Sequence, residues 1–438
     1  MSRWLMLTIG FVFVLSVATL RAAEADQPTT AELREQIKQL QAKVDQLEAK
    51  QQQTSADVAA TVDKIVQDAE KRSTVIQTSG NLVIGHEDGH YFISSGEPKP
   101  NYLLLPSAEM QIRDTTNYDS ADSSTENGIE IRRLKVRLEG NAFTPDLTYA
   151  IQYATGTNNG TPNLEDAFVK YQWTPGWFVK GGQYKDPLLH EQLVSGRRQL
   201  AADRSLLSLV MTGSSDNYIQ GVSVIYDRAN QPWRIEGAFT DGIGSQDTTW
   251  RDFPANSTDW GAAGRAEYFV LGDRKQYDDF TALLMTKDVL VFGAAADATQ
   301  GGSNTAYTHT VDVTWKNTHG LSAYGAFVGQ YQDFSPTTAY NWGLEVQGGW
   351  VFRPNWEVFA RWDFIKFEND VTFASGGSED LFNEITVGLN RYIHSYYAKF
   401  TLDFTYLPNG APVDEIGLGE LAGDEAQYLV RAQFQLVL

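Results

Sequence analysis

The sequence predicts an all-β fold: a 16-stranded antiparallel transmembrane β-barrel, preceded by an N-terminal α-helical coiled coil. Three observations predict it. No segment downstream of Leu20 is apolar for the roughly 20 residues that a transmembrane helix needs. A membrane-spanning form of the remaining chain is therefore a closed sheet, the other structure that satisfies its backbone in lipid. From Asn101 onwards the hydrophobic pattern has period two, and the connections between its segments alternate between short and long.

The first element is a targeting segment over residues 1–25. Arg3 supplies a positive start, Leu5 to Leu20 is almost wholly apolar, and Ala23-Glu24-Ala25 offers small residues for cleavage. That combination reads as a secretory signal, with a membrane anchor as the alternative. Residues 26–73 read as a periplasmic coiled coil. Leu33, Ile37, Leu40, Val44 and Leu47 alternate spacings of four and three, the heptad seam, and Val58 and Ile65 continue it more weakly. Helix from Thr30 to Arg72 would span roughly 60 Å at about 1.5 Å per residue. Residues 74–100 read as a connector with short apolar pieces and glycine turns.

Residues 101–438 carry the period-two segments. Tyr396, Ala398, Phe400, Leu402, Phe404 and Tyr406 share one face, and Lys399, Thr401, Asp403 and Thr405 the other. Apolar residues bracketed by aromatic rings are the outer surface of a barrel strand, with the rings at the two membrane interfaces. Trp342 to Phe352, Trp260 to Val270 and Tyr428 to Leu438 repeat the arrangement. Sixteen such segments begin near Tyr102, Ile129, Leu147, Leu164, Trp177, Asn217, Trp233, Asp259, Val289, Thr305, Leu321, Asn341, Trp356, Leu381, Ser395 and Asp424. Six of the seven even connections are short, among them Thr174-Pro175-Gly176 and Arg353-Pro354-Asn355. The exception is Leu271 to Lys287. Asp114 to Asn127, Asp186 to Ser215, Asp241 to Ser257, Lys366 to Ser378 and Leu407 to Gly423 read as long outer loops. Short periplasmic turns and long outer loops are the asymmetry of outer-membrane barrels, and they put both chain ends in the periplasm.

Composition narrows the function classes. The 438 residues include no Cys, which removes disulfides, thiolate metal sites and a Cys nucleophile. A formal charge of −20 argues against nucleic acid as a partner, because phosphate binding needs clustered cations. His394 and Ser395 are neighbours, but adjacent strand residues face opposite ways. His86 and His90 share a polar loop with Glu87 and Asp88, read as solvated. No catalytic residue, metal or cofactor is expected.

Gly128-Ile129-Glu130-Ile131-Arg132-Arg133-Leu134-Lys135-Val136-Arg137-Leu138-Glu139-Gly140 resembles the second strand of the phosphate-selective porin O and P family. Leu164-Glu165-Asp166-Ala167-Phe168-Val169, Gly182-Gln183-Tyr184-Lys185-Asp186-Pro187, Glu191-Gln192-Leu193 and Asp203-Arg204-Ser205 resemble later strands and the long third loop of that family. The resemblance runs from about Gly128 to Leu206; the later part of the chain matches only as generic barrel. It implies a sixteen-stranded, trimeric outer-membrane channel. In some members Arg and Lys in the bore select phosphate or polyphosphate. The chain departs from the usual pattern in ending on Leu438 rather than Phe.

The residues give a parallel reading of the pore. If Leu134, Val136 and Leu138 face lipid, then Arg133, Lys135, Arg137 and Glu139 face the lumen. A charge on the lipid side would cost about 2–4 kcal/mol near the midplane. The third outer loop adds Lys185, His190, Arg197, Arg198 and Arg204, and about thirty residues are too many for a simple turn. Folding into the bore is their natural use. The expected function is passive diffusion of small solutes, anions such as phosphate, past these cations. The alternative is that Glu236, Glu267, Asp312, Glu345 and Asp363 neutralise them, giving a general or cation-leaning porin. A third reading is a tether, with the coiled coil on peptidoglycan and the barrel as its anchor. The expected partners are the outer-membrane bilayer, two further copies in a homotrimer, peptidoglycan and small anionic solutes.

Overall fold

The structure, a computed structural model, describes residues 76–77, 82–87, 90–96, 99–155, 160–212, 217–248, 258–334, 336–415 and 417–438. The expected signal segment and coiled coil lie outside them. The chain divides after Ser73 into two units, and the second is the barrel.

Three short strands come first, β1 (Ile76–Gln77), β2 (Val83–Glu87) and β3 (His90–Ser94), in the stretch read as a connector. The barrel follows as β4 (Leu103–Asp119), β5 (Ser124–Asn141), β6 (Leu147–Thr155), β7 (Pro162–Thr174), β8 (Trp177–Lys185), β9 (Tyr218–Asp227), β10 (Trp233–Thr240) and β11 (Trp260–Leu271). It continues as β12 (Val289–Gly301), β13 (Asn304–Lys316), β14 (Leu321–Phe334), β15 (Thr337–Arg353), β16 (Trp356–Thr372), β17 (Ser378–His394), β18 (Ala398–Leu407) and β19 (Gln427–Val437). Each strand from β4 pairs antiparallel with the next, and β19 pairs with β4, so sixteen strands close on themselves. β3 adds the β2–β3 hairpin to the start of β4 through Ile93 and Ser94.

Every expected segment coincides with one barrel strand, and the starts agree within five residues. The alternation is the cause. Along β15, Leu344 and Val346 face out while Glu345 and Gln347 are buried inside. Tyrosines ring the outer surface at the loop end, where Tyr406 stacks on Tyr428 at 4.9 Å and Tyr118 lies beside it. Tryptophans dominate the turn end, with Trp177 against Trp173 and Tyr226, and Trp233 against Tyr268 at 4.6 Å. Such rings sit at headgroup level, apolar body inward and polar edge to water.

The connections differ from expectation in four places. β4 and β5 continue through Asp119 and from Ser124, so most of the stretch read as a first outer loop is paired strand. β16 likewise runs to Thr372. β12 and β13 meet in a two-residue turn at the loop end, and there β14 ends at Phe334 and β15 begins at Thr337. In each case polar residues there extend the ladder beyond the apolar band, because a strand whose backbone is paired does not need an apolar side chain in water. The turn end keeps its tight connections; at Gly176 φ is +84° after Pro175, the left-handed site a Pro-Gly turn needs.

The outward face is testable. Val346 is 55% exposed to the lipid side, midway between the Trp342 and Trp350 rings. Val346→Arg is expected to lower the stability of the barrel refolded in vesicles by about 2–4 kcal/mol, read from denaturant unfolding.

Candidate functional site in the lumen

Inward-facing positions on opposite walls are filled with charge, and the segment between β8 and β9 lies among them. That segment, the third loop, holds a turn of helix α1 (His190–Leu193), a 3-10 turn at Gly196–Arg198 and helix α2 (Leu206–Met211). Its apolar residues Leu189, Val194, Leu200, Leu206 and Leu207 are buried against Tyr324, Val328, Phe359 and Phe382 from the strands. The loop therefore carries a hydrophobic core of its own inside the barrel. The burial of each such side chain is worth about 1.5–3 kcal/mol.

Polar contacts fix its register. The α2 N-terminus sits on carboxylates: the Leu206 amide donates to Glu384 Oε2 at 2.8 Å and the Leu207 amide to Asp363 Oδ2 at 3.0 Å. Ser205 caps the helix, its Oγ accepting from the Ser208 amide and donating to Glu191 Oε2 at 2.7 Å. The first amides of a helix have no partner within it, and anions there meet the positive end of its dipole. Arg361 donates to the Asp203 carbonyl at 2.8 Å and to Glu384 Oε1 at 2.7 Å. Further along, the Ala202 amide donates to Asp403 Oδ2, Lys399 to the Gln199 carbonyl and Asn390 to the Leu200 carbonyl.

The expected site residues divide into three groups. Arg133, Lys135 and Arg137 do face inward, and each meets a carboxylate. Arg133 pairs with Asp203 at 2.6 Å, Lys135 with Glu165 at 2.6 Å, and Arg137 with Asp166 and with Glu139. The partners are not the carboxylates expected from sequence; of those, Asp312 pairs with Arg265 at 2.7 Å and Glu236 with Lys180 at 2.6 Å. Lys185 and Arg204 form the second group. Lys185 Nζ donates to the Gln192 carbonyl at 2.6 Å, and Arg204 Nη2 to the Val194 carbonyl at 2.8 Å. Both clamp the carbonyls that end α1. Arg197 and Arg198 are the third group. Their guanidiniums lie over the Tyr396 ring, 5.5 and 4.6 Å from its centre, and Arg198 donates to Tyr396 Oη at 3.2 Å. Among the described residues neither is within ion-pair distance of a carboxylate, and both line a cavity beside the loop.

Sequence reasoning missed Asp203, whose carboxylate gathers Arg113, Arg132 and Arg133 at 3.1, 2.7 and 2.6 Å. Burial alone would push its carboxyl up, but the three guanidiniums hold it well below the usual range. A carboxyl depressed in the folded state contributes stability that is complete above its unfolded value of about 3.9 and is lost as pH falls through the folded value. The anchorage thus persists in mildly acidic solution. The missed signal was Asp203 itself, three residues before the α2 helix and opposite an Arg-Arg pair. Among the described residues no group of His, Asp and Glu is arranged to hold a metal.

Removing Asp203 leaves three buried guanidiniums facing one another. Asp203→Asn is expected to cost about 3–5 kcal/mol in the anchorage of the loop. The check is limited proteolysis: cleavage within the loop should appear while the barrel keeps its heat-modifiable migration.

Residues 108–298 match the family model of phosphate-selective porin O and P. No curated protein matches the sequence. Among solved structures, an anion-selective porin from Comamonas acidovorans superposes with a TM-score of 0.52 at 12% identity, over 76% of this chain and 99% of that one. OmpF of Salmonella typhi, in complex with daunomycin, gives 0.52 at 12% identity over 77% and 98%. The trimer form of in-vitro folded OmpT from Vibrio cholerae gives 0.50 at 10% identity over 76% and 99%. At these identities the likeness is one of fold; the family pattern spans the whole stretch from Gly128 to Leu206. The chain is a closed sixteen-stranded antiparallel β-barrel that carries the phosphate-selective porin O and P pattern over residues 108–298.

Proposed function

We propose that this channel passes small hydrophilic solutes by diffusion, with a preference for anions such as phosphate, and that the third loop constricts it. The observation that carries the preference is the Arg197–Arg198 pair. Each cation of the rail of Arg133, Lys135 and Arg137 has a carboxylate beside it, Asp203, Glu165 and Asp166, which weakens the field it sends into the bore. Arg197 and Arg198 keep their charge facing the cavity. Eight Lys and Arg against six Asp and Glu line that cavity, although the chain as a whole is acidic. Opposed pairs elsewhere in the lumen favour the second reading, a general porin with a transverse field. In this proposal the turn end and both termini are periplasmic, the coiled coil of residues 26–73 reaches peptidoglycan, and three copies assemble. The trimer form of OmpT supports the last point by fold alone.

The test is the reversal potential of the protein in a planar bilayer under a potassium chloride gradient. Wild type is expected to prefer chloride and to lose current on added phosphate. Arg197→Gln with Arg198→Gln is expected to reduce the permeability ratio several-fold, up to about tenfold for ~1.4 kcal/mol. A wild-type preference for potassium would replace this reading with a cation-leaning porin. Absence of steady conductance would leave the tether.

A further inference from the structure

The one long connection at the turn end, between β11 and β12, does not stay outside the barrel. It forms helix α3 (Arg274–Tyr277) and then turns inward. Tyr277 and Phe280 are buried, 1% and 2% exposed. Tyr277 stacks face to face on His190 of the third loop, with centroids 3.9 Å apart and planes 8° from parallel, and Phe280 meets the same ring edge-on. Tyr277 Oη donates to Glu267 Oε1 on β11 at 3.2 Å. Lys316 Nζ on β13 reaches Asp279 Oδ1 at 2.6 Å, and Thr281 Oγ1 donates to Glu357 Oε1 on β16 at 2.8 Å. The connection is thereby tied to walls several strands apart, so it crosses part of the bore instead of hugging one wall.

It also meets the third loop backbone to backbone. The Phe280 amide donates to the Arg198 carbonyl at 3.4 Å, and Arg198 Nη1 donates to the Asp278 carbonyl at 3.3 Å. Asp278 is itself exposed to water, and lines the same cavity as Arg197 and Arg198. Asp278 thus brings a carboxylate to the cavity that the two guanidiniums line, on a segment that enters from the opposite end of the barrel.

We infer that the β11–β12 connection is the second jaw of the constriction and that Asp278 is a selectivity-determining residue, a negative counterweight to Arg197 and Arg198. The inference rests on the reading that the lumen conducts. Tyr277 and Phe280 are positioning residues: they fill the space under α1 and hold the jaw against the loop. The length of this connection among short neighbours is explained by the distance it must cover to reach the third loop.

Two variants in planar bilayers test it. Asp278→Asn removes one charge from an exposed side chain without touching the buried rings. The chloride-to-potassium permeability ratio is expected to rise by a factor of about two to five, the effect of one close charge in a water-filled space, with single-channel conductance little changed. Replacing residues 274–286 by a three-residue turn of the Arg353-Pro354-Asn355 type is expected to raise single-channel conductance in a barrel that keeps heat-modifiable migration. An unchanged ratio in Asp278→Asn overturns the role of that residue. An unchanged conductance in the folded shortened chain overturns the second jaw, and if the shortened chain does not fold, Asp278→Asn alone decides the inference. A wild-type protein with no conductance would instead overturn the porin reading on which both stand.

Discussion

The pairing of the first barrel strand with the last is the constraint on which everything else depends. β4 and β19 join over Glu109–Asp119 and Gln427–Val437, and this seam turns a sheet with two open edges into one with none. In lipid an unpaired backbone group costs several kcal/mol, so an unsealed sheet could not stay in the bilayer. Closure then sorts every side chain of every strand. One residue faces hydrocarbon, the next faces a space that lipid cannot enter. That second space is where the chain keeps its buried charge, including Arg113, Arg361 and Arg431.

A closed lumen of sixteen strands is too wide for wall side chains to fill, and this chain fills part of it with its own backbone. The third loop satisfies two demands at once. Its leucines make a hydrophobic core against β14 to β17, and its amides and carbonyls use the polar groups that the walls present. The stretches resembling the porin family come together around it. The Arg132-Arg133 pair and Asp203 form one ion cluster, Glu165 and Asp166 neutralise Lys135 and Arg137, and Lys185, Glu191, Arg204 and Ser205 secure the ends of two short helices. Most of the basic residues that look like a filter in the sequence are thus the fastening of the loop. Those left facing water, Arg197 and Arg198, sit where loop, turn-end connection and Tyr396 meet.

The strands were legible because a period of two over ten or more residues has few other causes. Trp342 to Phe352 and Tyr396 to Tyr406 show their outer face without any knowledge of their neighbours. The first outer connection was misjudged because Asp114, Thr115, Thr116 and Asn117 are polar on both faces, and the pattern fades where a strand leaves the membrane. The inward path of Leu271 to Lys287 was invisible for another reason. Its length was plain, but its destination depends on His190, in a loop whose path no alternation fixes, and on Lys316 and Glu357, which alternation places inside without saying what lies beside them. For the same reason the inward direction of Arg133, Lys135 and Arg137 could be read and their partners could not: pairing across a lumen is set by strand order, shear and loop path jointly.

The chain has no native Cys, which gives one direct measurement of whether the third loop is fastened inside the barrel. The Ala202 amide lies 2.8 Å from Asp403 Oδ2 on β18. In the double variant Ala202→Cys and Asp403→Cys, a short bis-thiol crosslinker should join the two positions in detergent-folded protein, giving a mass-spectrometric crosslinked peptide and locking gel mobility. Protein with heat-modifiable migration and two reactive thiols, but no 202–403 crosslink, would place the loop elsewhere and contradict the account of the lumen.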